Sequence, residues 1–130
     1  MLAFGLYMAT KKMVALNIEE VLMVLTNLPD RDSAQRMAQR LIESRAAACV
    51  NILAECSSVY RWQGKIESAS EIPMLIKTTR SAYPRVEELI RSHHPYELPE
   101  IIAVSVVAGL PAYLQWVVQE VSSINVAIKD

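Results

Sequence analysis

The stretch EEVLMVLTNLPD, residues 19–30, sets the pattern that the rest of the chain follows. Residues 19–26 form a short apolar, partly β-branched run, and the breakers NLPD close it, which predicts a buried strand. Apolar residues then recur at helical spacing, with Asp30 or Asp32 available as the N-cap. The chain therefore opens with a strand and an amphipathic helix, whose apolar positions are Ala34, Met37, Ala38, Leu41 and Ile42.

A long β-forming segment follows the first helix. AACVNILAECSSVYRW (residues 47–62) is typical of one strand or a long bent one, QGK of a turn, and EIPMLIKTT (residues 71–79) of its antiparallel partner. Cys49 and Cys56 are seven residues apart, which would put them on opposite faces of one regular strand. Such a pair makes a poor chelate and a poor disulfide, so we expect free thiols in a reducing compartment, the cytoplasm.

Prolines mark the boundaries of the C-terminal half. A second helix predicted from Ser81 ends before Pro95, because a residue that precedes proline is pushed out of the helical region. EIIAVSVV (residues 100–107) predicts a fourth strand, and Pro111 opens a third helix, where its missing N–H costs little. The resulting order (strand, helix, strand, strand, helix, strand, helix) is that of an α+β, ferredoxin-like split βαβ domain (βαββαβ) with an additional C-terminal helix.

The fourth predicted strand is apolar on both of its faces. In a ferredoxin-like domain both main helices cover one face of the sheet, so the other face needs a different cover. Three branched side chains left in water would forfeit roughly 5 to 9 kcal/mol, at ~1.5 to 3 kcal/mol each. We therefore expect a homo-oligomer packed sheet against sheet. The alternating sets are Ile101, Ala103 and Val107 on one face, and Ile102, Val104 and Val106 on the other.

Charge and hydropathy narrow the choice of partners. Thirteen basic and fourteen acidic residues leave a formal charge of −1, which gives no global attraction for nucleic acid. Arg36 and Arg40, one helical turn apart, are typical of a solvated helix face, so no nucleic-acid partner is expected. Residues 101–119 carry no formal charge, but Gly109 and Pro111 interrupt them, so no membrane span is predicted.

The first residues of the chain do not follow the regular pattern. Residues 1–19 are predicted to be an N-terminal extension whose order the sequence leaves open, and Met8 and Met13 are alternative starts. The positive charges of Lys11 and Lys12 follow the apolar stretch, whereas a signal peptide needs its positive charge in front. We therefore expect no signal peptide.

SHHPYELPEI, residues 92–101, concentrates most of the potential chemistry. Imidazole is a good ligand for copper or zinc, so His93 and His94 are candidate metal ligands. Successive helix residues point about 100° apart, so the pair would chelate one ion only where the helix has unwound. The alternative is two histidines that suit the negative end of a helix dipole. The chain has no nucleophile elbow, phosphate-binding glycine loop or HExxH motif, so no catalytic residue is predicted.

Aromatic residues with a polar tip favour clefts at subunit boundaries. Several such residues, together with a lysine and a carboxylate, are therefore candidates for lining a ligand cleft or an interface. The alternative places the aromatic residues in an interface or core and the lysine in a solvated turn. The candidates are Tyr60, Trp62, Lys65, Tyr96, Glu97 and Trp116.

Five motifs in register resemble the CutA family of divalent-cation tolerance proteins. Each motif alone is weak, but together they are specific, and the resemblance covers about residues 20–121. It predicts a CutA-like domain over residues 20–122 and a C-terminal tail over residues 123–130. The motifs are AACVNI (47–52), SSVYRWQGKI (57–66), MLIKTT (74–79), HPYELPEI (94–101) and YLQW (113–116).

The resemblance implies a ferredoxin-like subunit in a homotrimer, similar in architecture to the PII signalling proteins. It also implies a role in tolerance of copper or another divalent cation, with His93 and His94 as ligands. Bacterial members carry a further cysteine ligand at the end of the first strand, where this chain has Leu25. Cys49 falls where some members of the family carry a cysteine, and it would serve instead only if the fold brings it near the histidines. The alternative is a PII-like trimeric signalling or adaptor protein that binds a small ligand or a protein partner.

Overall fold

A computed structural model describes residues 19–122, and the predicted α+β, ferredoxin-like order is confirmed within them. The predicted extension, apart from Glu19, and the predicted tail over residues 123–130 lie outside the described residues. The elements are β1 (Val21–Leu28), α1 (Arg31–Glu43), β2 (Cys49–Ile52), β3 (Cys56–Trp62), β4 (Lys65–Thr79), α2 (Tyr83–His93), β5 (Ile101–Ser105) and α3 (Pro111–Glu120).

Local signals set the helix boundaries. Asp30 is the N-cap of α1, because its carboxylate accepts a hydrogen bond of 2.7 Å from the backbone N–H of Ser33. Helix α2 starts at Tyr83, two residues later than predicted, and ends at His93, after which the backbone of His94 is extended. Helix α3 begins at Pro111 as predicted. Capping and proline therefore place the helix ends close to where the sequence suggested.

Strand β4 belongs to two antiparallel assemblies. Its C-terminal half lies between β1 and β2 in the main sheet, whose order is β2-β4-β1-β5. Its N-terminal half pairs with β3, which forms a hairpin arm over residues 56–71. The predicted long strand over residues 47–62 is thus two strands, β2 and β3, which pair with different halves of β4. The arm closes through Gln63 and Gly64, whose φ angles of 49° and 81° suit a two-residue hairpin turn.

The hydrophobic core lies between one face of the main sheet and helices α1 and α2. Alternate residues of the central strands point into it, and Val24 of β1 and its β4 partner Ile76 are fully buried. The helices contribute apolar positions at helical spacing. The core residues are Val24, Leu28, Ala34, Met37, Leu41, Ala46, Ala47, Ile72, Met74, Ile76, Val86 and Ile90.

The opposite face of the main sheet, called the second face below, is apolar but only partly covered. Helix α3 packs against β1 and β4, and the contact of its Tyr113 with the Cys49 thiol places it on this face. Ile102 and Val104 remain 51% and 46% exposed in a single chain. Strand β5 ends at Ser105, earlier than predicted, because it has there reached the start of β1: Ser105 pairs with Leu22, and the last bond runs from the Val106 N–H to the Val21 carbonyl oxygen. The predicted fourth strand is present, with Ile101 on the core side and Ile102 and Val104 on the second face, but the prediction was wrong for Val106 and Val107, which lie beyond the end of the strand.

Arginines attach the ends of the helices to one another. Arg85 of α2 donates to the carbonyl oxygens of Ser44 and Arg45, just after α1. Arg45, with a left-handed φ of 60°, donates through Nη1 to the carbonyl oxygen of Glu120 at 3.0 Å. These bonds satisfy carbonyls that have no partner within their own helices. The bond from Arg45 holds the end of α3 in place over the second face.

A test of the core concerns Ile76. We expect Ile76→Ala to lower the free energy of unfolding by about 2 to 5 kcal/mol, because it leaves a cavity under both helices. The matched control is Ile42→Ala on α1, where the side chain is 42% exposed and the cost should stay within about 0.5 kcal/mol. Denaturant titration measures both values. Equal costs would contradict this arrangement of the core.

Candidate functional site

The loop after α2 crosses the end of β1 and is held there by His94. The Nε2 atom of His94 lies 2.6 Å from the carbonyl oxygen of Asn27, the penultimate residue of β1. The backbone N–H of Tyr96 lies 3.1 Å from Nδ1 of the same ring. A carbonyl oxygen only accepts and a backbone N–H only donates, so Nε2 carries the proton and Nδ1 is the acceptor. His94 is therefore a neutral imidazole with both ring nitrogens in use.

His93 has a different environment although it is the next residue. Its ring is exposed, and Nδ1 donates to the carbonyl oxygen of Leu89 at 3.0 Å, one turn earlier in α2. This bond uses Nδ1 and leaves Nε2 of the exposed ring without a partner among residues 19–122. Metal-binding histidines commonly hold their second ring N–H against a backbone carbonyl in this way. His93 also ends α2, where the helix dipole favours positive charge.

Tyr96 connects the loop to the junction between the main sheet and the hairpin arm. Its hydroxyl donates to the carboxylate of Glu71, which is 8% exposed at the point where β4 enters the arm. Burial, and then this acceptor, raise the pKa of Tyr96 to about 12. The ring of Tyr96 also packs against that of His94, with centroids 4.6 Å apart. The phenol therefore stays protonated and serves as a fixed hydrogen-bond donor.

A further hydrogen bond attaches the far end of the loop. The side-chain amide of Asn27 donates to the carboxylate of Glu100 at 3.0 Å, just before β5. Asn27 thus binds the loop at both ends, through its carbonyl to His94 and through its amide to Glu100. We call Asn27, Glu71, His94, Tyr96 and Glu100 the loop cluster. The imidazole of His94, the phenol of Tyr96 and the amide of Asn27 all hydrogen-bond to other residues of the chain, which favours a structural role for the cluster.

The predicted metal ligands do not come together within one chain. In the main sheet, Cys49 of β2 lies opposite Lys77 of β4, which lies opposite Met23 of β1. His94 instead binds Asn27, which is four residues further along β1 than Met23. Cys49 and His94 are therefore separated by about 13 Å along the strands and about 10 Å across them. Among residues 19–122 no group of three or more His, Cys, Asp or Glu side chains is placed to hold a metal ion.

The candidates for a cleft also separate. Tyr60, Trp62 and Lys65 share one face of the hairpin arm, since directly paired residues point to the same side. Trp62 and Lys65 flank its turn, about 20 Å along β4 from Glu71. Tyr60 is nearer, because its phenol contributes to the raised pKa of Tyr96. Glu97 is exposed in the loop, and Trp116 lies on α3.

The structure adds a polar row that the sequence did not reveal. Lys77 hydrogen-bonds to the side-chain oxygen of Asn51, and its ammonium lies 4.0 Å from the Cys49 sulfur. Tyr113 contacts the same thiol, and its ring packs against that of Trp116 with centroids 5.6 Å apart. We call Cys49, Asn51, Lys77, Tyr113 and Trp116 the Lys77 row. The ammonium makes this an unfavourable place for a cation.

Glu71 and Lys77 escaped sequence-based selection for the same reason. Each is a charged residue in the apolar stretch EIPMLIKTT, and nothing in that stretch shows what each would contact. Glu71 meets Tyr96 only through the return of a loop 25 residues later, and Lys77 meets Asn51 only through strand pairing. Charged residues inside a strand that is otherwise apolar were the available signal.

Together these features define an α+β protein of the ferredoxin-like plan with a histidine-bearing loop anchored across the end of its first strand. No helix within residues 19–122 is long and apolar enough to cross a membrane. The chain belongs to the CutA1 divalent ion tolerance protein family, which it matches over residues 22–120.

Relatives from distant organisms share this domain. The divalent-cation tolerance protein CutA of Thermus thermophilus is 42% identical over 99 residues, which cover 76% of this chain and 94% of that protein. The mouse protein CutA is 45% identical over 97 residues, 75% of this chain, and the chain spans only 55% of the mouse protein's length.

Solved structures agree with the fold. The crystal structure of CutA from Xylella fastidiosa has a TM-score of 0.76 at 43% identity and covers 78% of this chain and 98% of its own. That of CutA1 from Oryza sativa has a TM-score of 0.79 at 31% identity, with coverages of 82% and 97%. The ferredoxin-like plan and the family are thus supported by sequence and by structure.

The Tyr96 bond predicts a specific dependence of stability on pH. A folded-state pKa of about 12, above the ordinary value of about 10, stabilises the fold below pH ~10, and this contribution is lost as pH rises towards 12. We expect the gap in unfolding free energy between the natural chain and Tyr96→Phe to shrink over that range. Denaturant titrations at successive pH values measure it, with Tyr60→Phe as the control that should keep most of the pH dependence, because burial and Glu71 raise the pKa of Tyr96 more than the Tyr60 phenol does. A gap that is constant with pH would refute the Tyr96–Glu71 bond.

Proposed function

We propose that this chain is a divalent-cation-binding protein of metal tolerance, that copper is among its cations, and that His93 provides the first ligand. Membership of the divalent ion tolerance family supports the general role. The same role is in the name of the Thermus thermophilus relative. The two free cysteines favour a reducing compartment, so we place the protein in the cytoplasm.

The state of the His93 ring is the observation that carries the metal proposal. Its Nδ1–H is fixed by the carbonyl oxygen of Leu89, and among residues 19–122 the exposed ring makes no further hydrogen bond, so Nε2 is accessible to an ion. A neutral imidazole with one nitrogen fixed in this way is a good ligand for copper or zinc. The loss of rotational freedom on binding is also reduced, because the ring is already oriented.

His94 and Cys49 fit the metal less well within one chain. A metal ion could reach His94 only if the ring gave up its bond to Asn27 or to the Tyr96 backbone. Cys49 lies beside the Lys77 ammonium. One imidazole does not hold an ion tightly, so in this proposal a second copy supplies further ligands. Binding, and not catalysis, is the proposed activity.

We also propose that the chain assembles as a homotrimer. The second face supports this, since Ile102 and Val104 are half exposed in one chain beside the partly buried Leu25 and Leu75. Burying a branched side chain contributes about 1.5 to 3 kcal/mol, so covering this surface provides a strong driving force for assembly. The hairpin arm adds Val59 and Ile66, which are 70% and 72% exposed, and both therefore favour contact with another copy.

The metal proposal predicts that the adjacent histidines behave differently. His93→Ala should weaken copper binding at least about tenfold and leave the unfolding free energy within about 0.5 kcal/mol. His94→Ala should keep copper binding and lose about 1 to 3 kcal/mol of stability, because the Asn27 carbonyl loses its partner. Calorimetric titration with copper, on protein without a histidine tag, and denaturant titration measure the two effects.

Copper uptake that survives His93→Ala unchanged would contradict the proposed ligand. Uptake that instead disappears with His94→Ala in a folded protein would show that the ring of His94 leaves its hydrogen bonds to bind the ion. His94→Asn serves as the conservative variant, since an amide can still donate to the Asn27 carbonyl. Its stability should lie between those of the natural chain and His94→Ala.

The assembly proposal predicts the effect of a single charge on the second face. Val104→Asp should convert the trimer to a lower-mass species at micromolar concentration, because a carboxylate would be buried in an apolar interface. Ile42→Asp is the matched control on α1, with 42% exposure against 46% for Val104, and it should leave the mass unchanged. Light scattering measures both. A trimer that persists in Val104→Asp would place the interface elsewhere.

A further inference from the structure

Lys77 is a cation on a largely apolar surface, and it has no carboxylate partner among the described residues. Within residues 19–122, the ion pair formed is between Arg80 and Glu20, and Lys77 takes no part in it. Its ammonium instead meets the Asn51 oxygen and the Cys49 sulfur. Lys77 is half buried, and its neighbours on the adjoining strands and on its own strand include Met23 and Leu75. A second copy on this face would take the ammonium further from water, where an unpaired charge is costly.

The other members of the Lys77 row supply donors and aromatic surface. A lysine ammonium has three donors, so after its bonds to the Asn51 oxygen and the Cys49 sulfur it keeps one for another acceptor. Partial burial and the neighbouring Cys49 raise the pKa of Tyr113, so that its phenol stays protonated at neutral pH. The rings of Tyr113 and Trp116 are each 40% exposed and tilted against each other beside these donors.

We propose that the Lys77 row binds the carboxylate of a small aromatic or apolar acid at a site that a second copy of the chain closes. Lys77 provides the positive charge, and the exposed faces of Tyr113 and Trp116 receive the apolar body of the ligand. This inference rests on the proposed homotrimer, since the surface is open in a single chain. It is independent of copper, because the ligand is an anion and the row lies away from His93.

Trp116 allows the proposal to be tested by fluorescence. The chain has two tryptophans, so Trp62→Phe leaves Trp116 as the reporter. Benzoate added to the full chain in this background should change the Trp116 emission saturably, and benzamide, its neutral analogue, should not. Lys77→Met, which keeps the length of the apolar stem, should weaken benzoate binding at least tenfold. Arg36→Met, which removes an exposed charge from α1, should leave it unchanged.

Three results would overturn the proposal. These are no saturable response to benzoate, an equal response to benzamide, and unchanged benzoate binding in Lys77→Met at the natural mass. A fourth result would also overturn it: Lys77→Met loses the trimer, and the parent protein gives no response to benzoate. In that case a carboxylate of the second copy, and not a small acid, would be the partner of the Lys77 ammonium. Light scattering and copper titration on the same samples separate these outcomes from failure of the proposed assembly or metal site.

Discussion

The structure depends on a sheet that is apolar on both faces although helices α1 and α2 cover only one of them. Val24 and Ile76 are fully buried beneath the two helices, whereas Ile102 and Val104 on the opposite face are half exposed. Helix α3 covers part of that face and is held there by Arg45. Surface of this kind is stable in water only when something covers the remainder. Assembly, the position of α3 and the setting of Lys77 all follow from this constraint.

Hydrogen bonding gives two adjacent histidines separate roles. His94 uses both ring nitrogens to anchor the loop on β1, whereas His93 fixes one nitrogen on its own helix and has no partner for the other within the described part of the chain. Only the imidazole of His93 is therefore available for chemistry at the loop unless His94 gives up its hydrogen bonds. The loop cluster also joins the main sheet to the hairpin arm through Tyr96 and Glu71. A ligand that changed the loop would thus act on the hairpin arm, which exposes Val59 and Ile66.

The sequence predicted the fold well because the fold depends on local signals. Alternating apolar residues, the Asp30 cap, and the prolines before β5 and at the start of α3 each act over a few residues. Contacts between distant residues were not predictable in the same way. The split of residues 47–62 into two strands depends on which half of β4 each one meets, and no motif encodes it. Glu71 and Lys77 acquire their contacts only through strand pairing and the return of the loop, so the sequence could not single them out. The two histidines, predicted as a pair, have different hydrogen-bond partners in the structure.

The mass of the unmodified chain in solution tests the central claim most directly, since every other feature of the second face depends on its being covered by a further copy. Light scattering over a dilution series from high to low micromolar concentration should give a constant mass of three chains of 14.6 kDa each. A mass of one chain throughout that series would contradict the account, because the exposed branched side chains of β5 would then be stable in water without a cover.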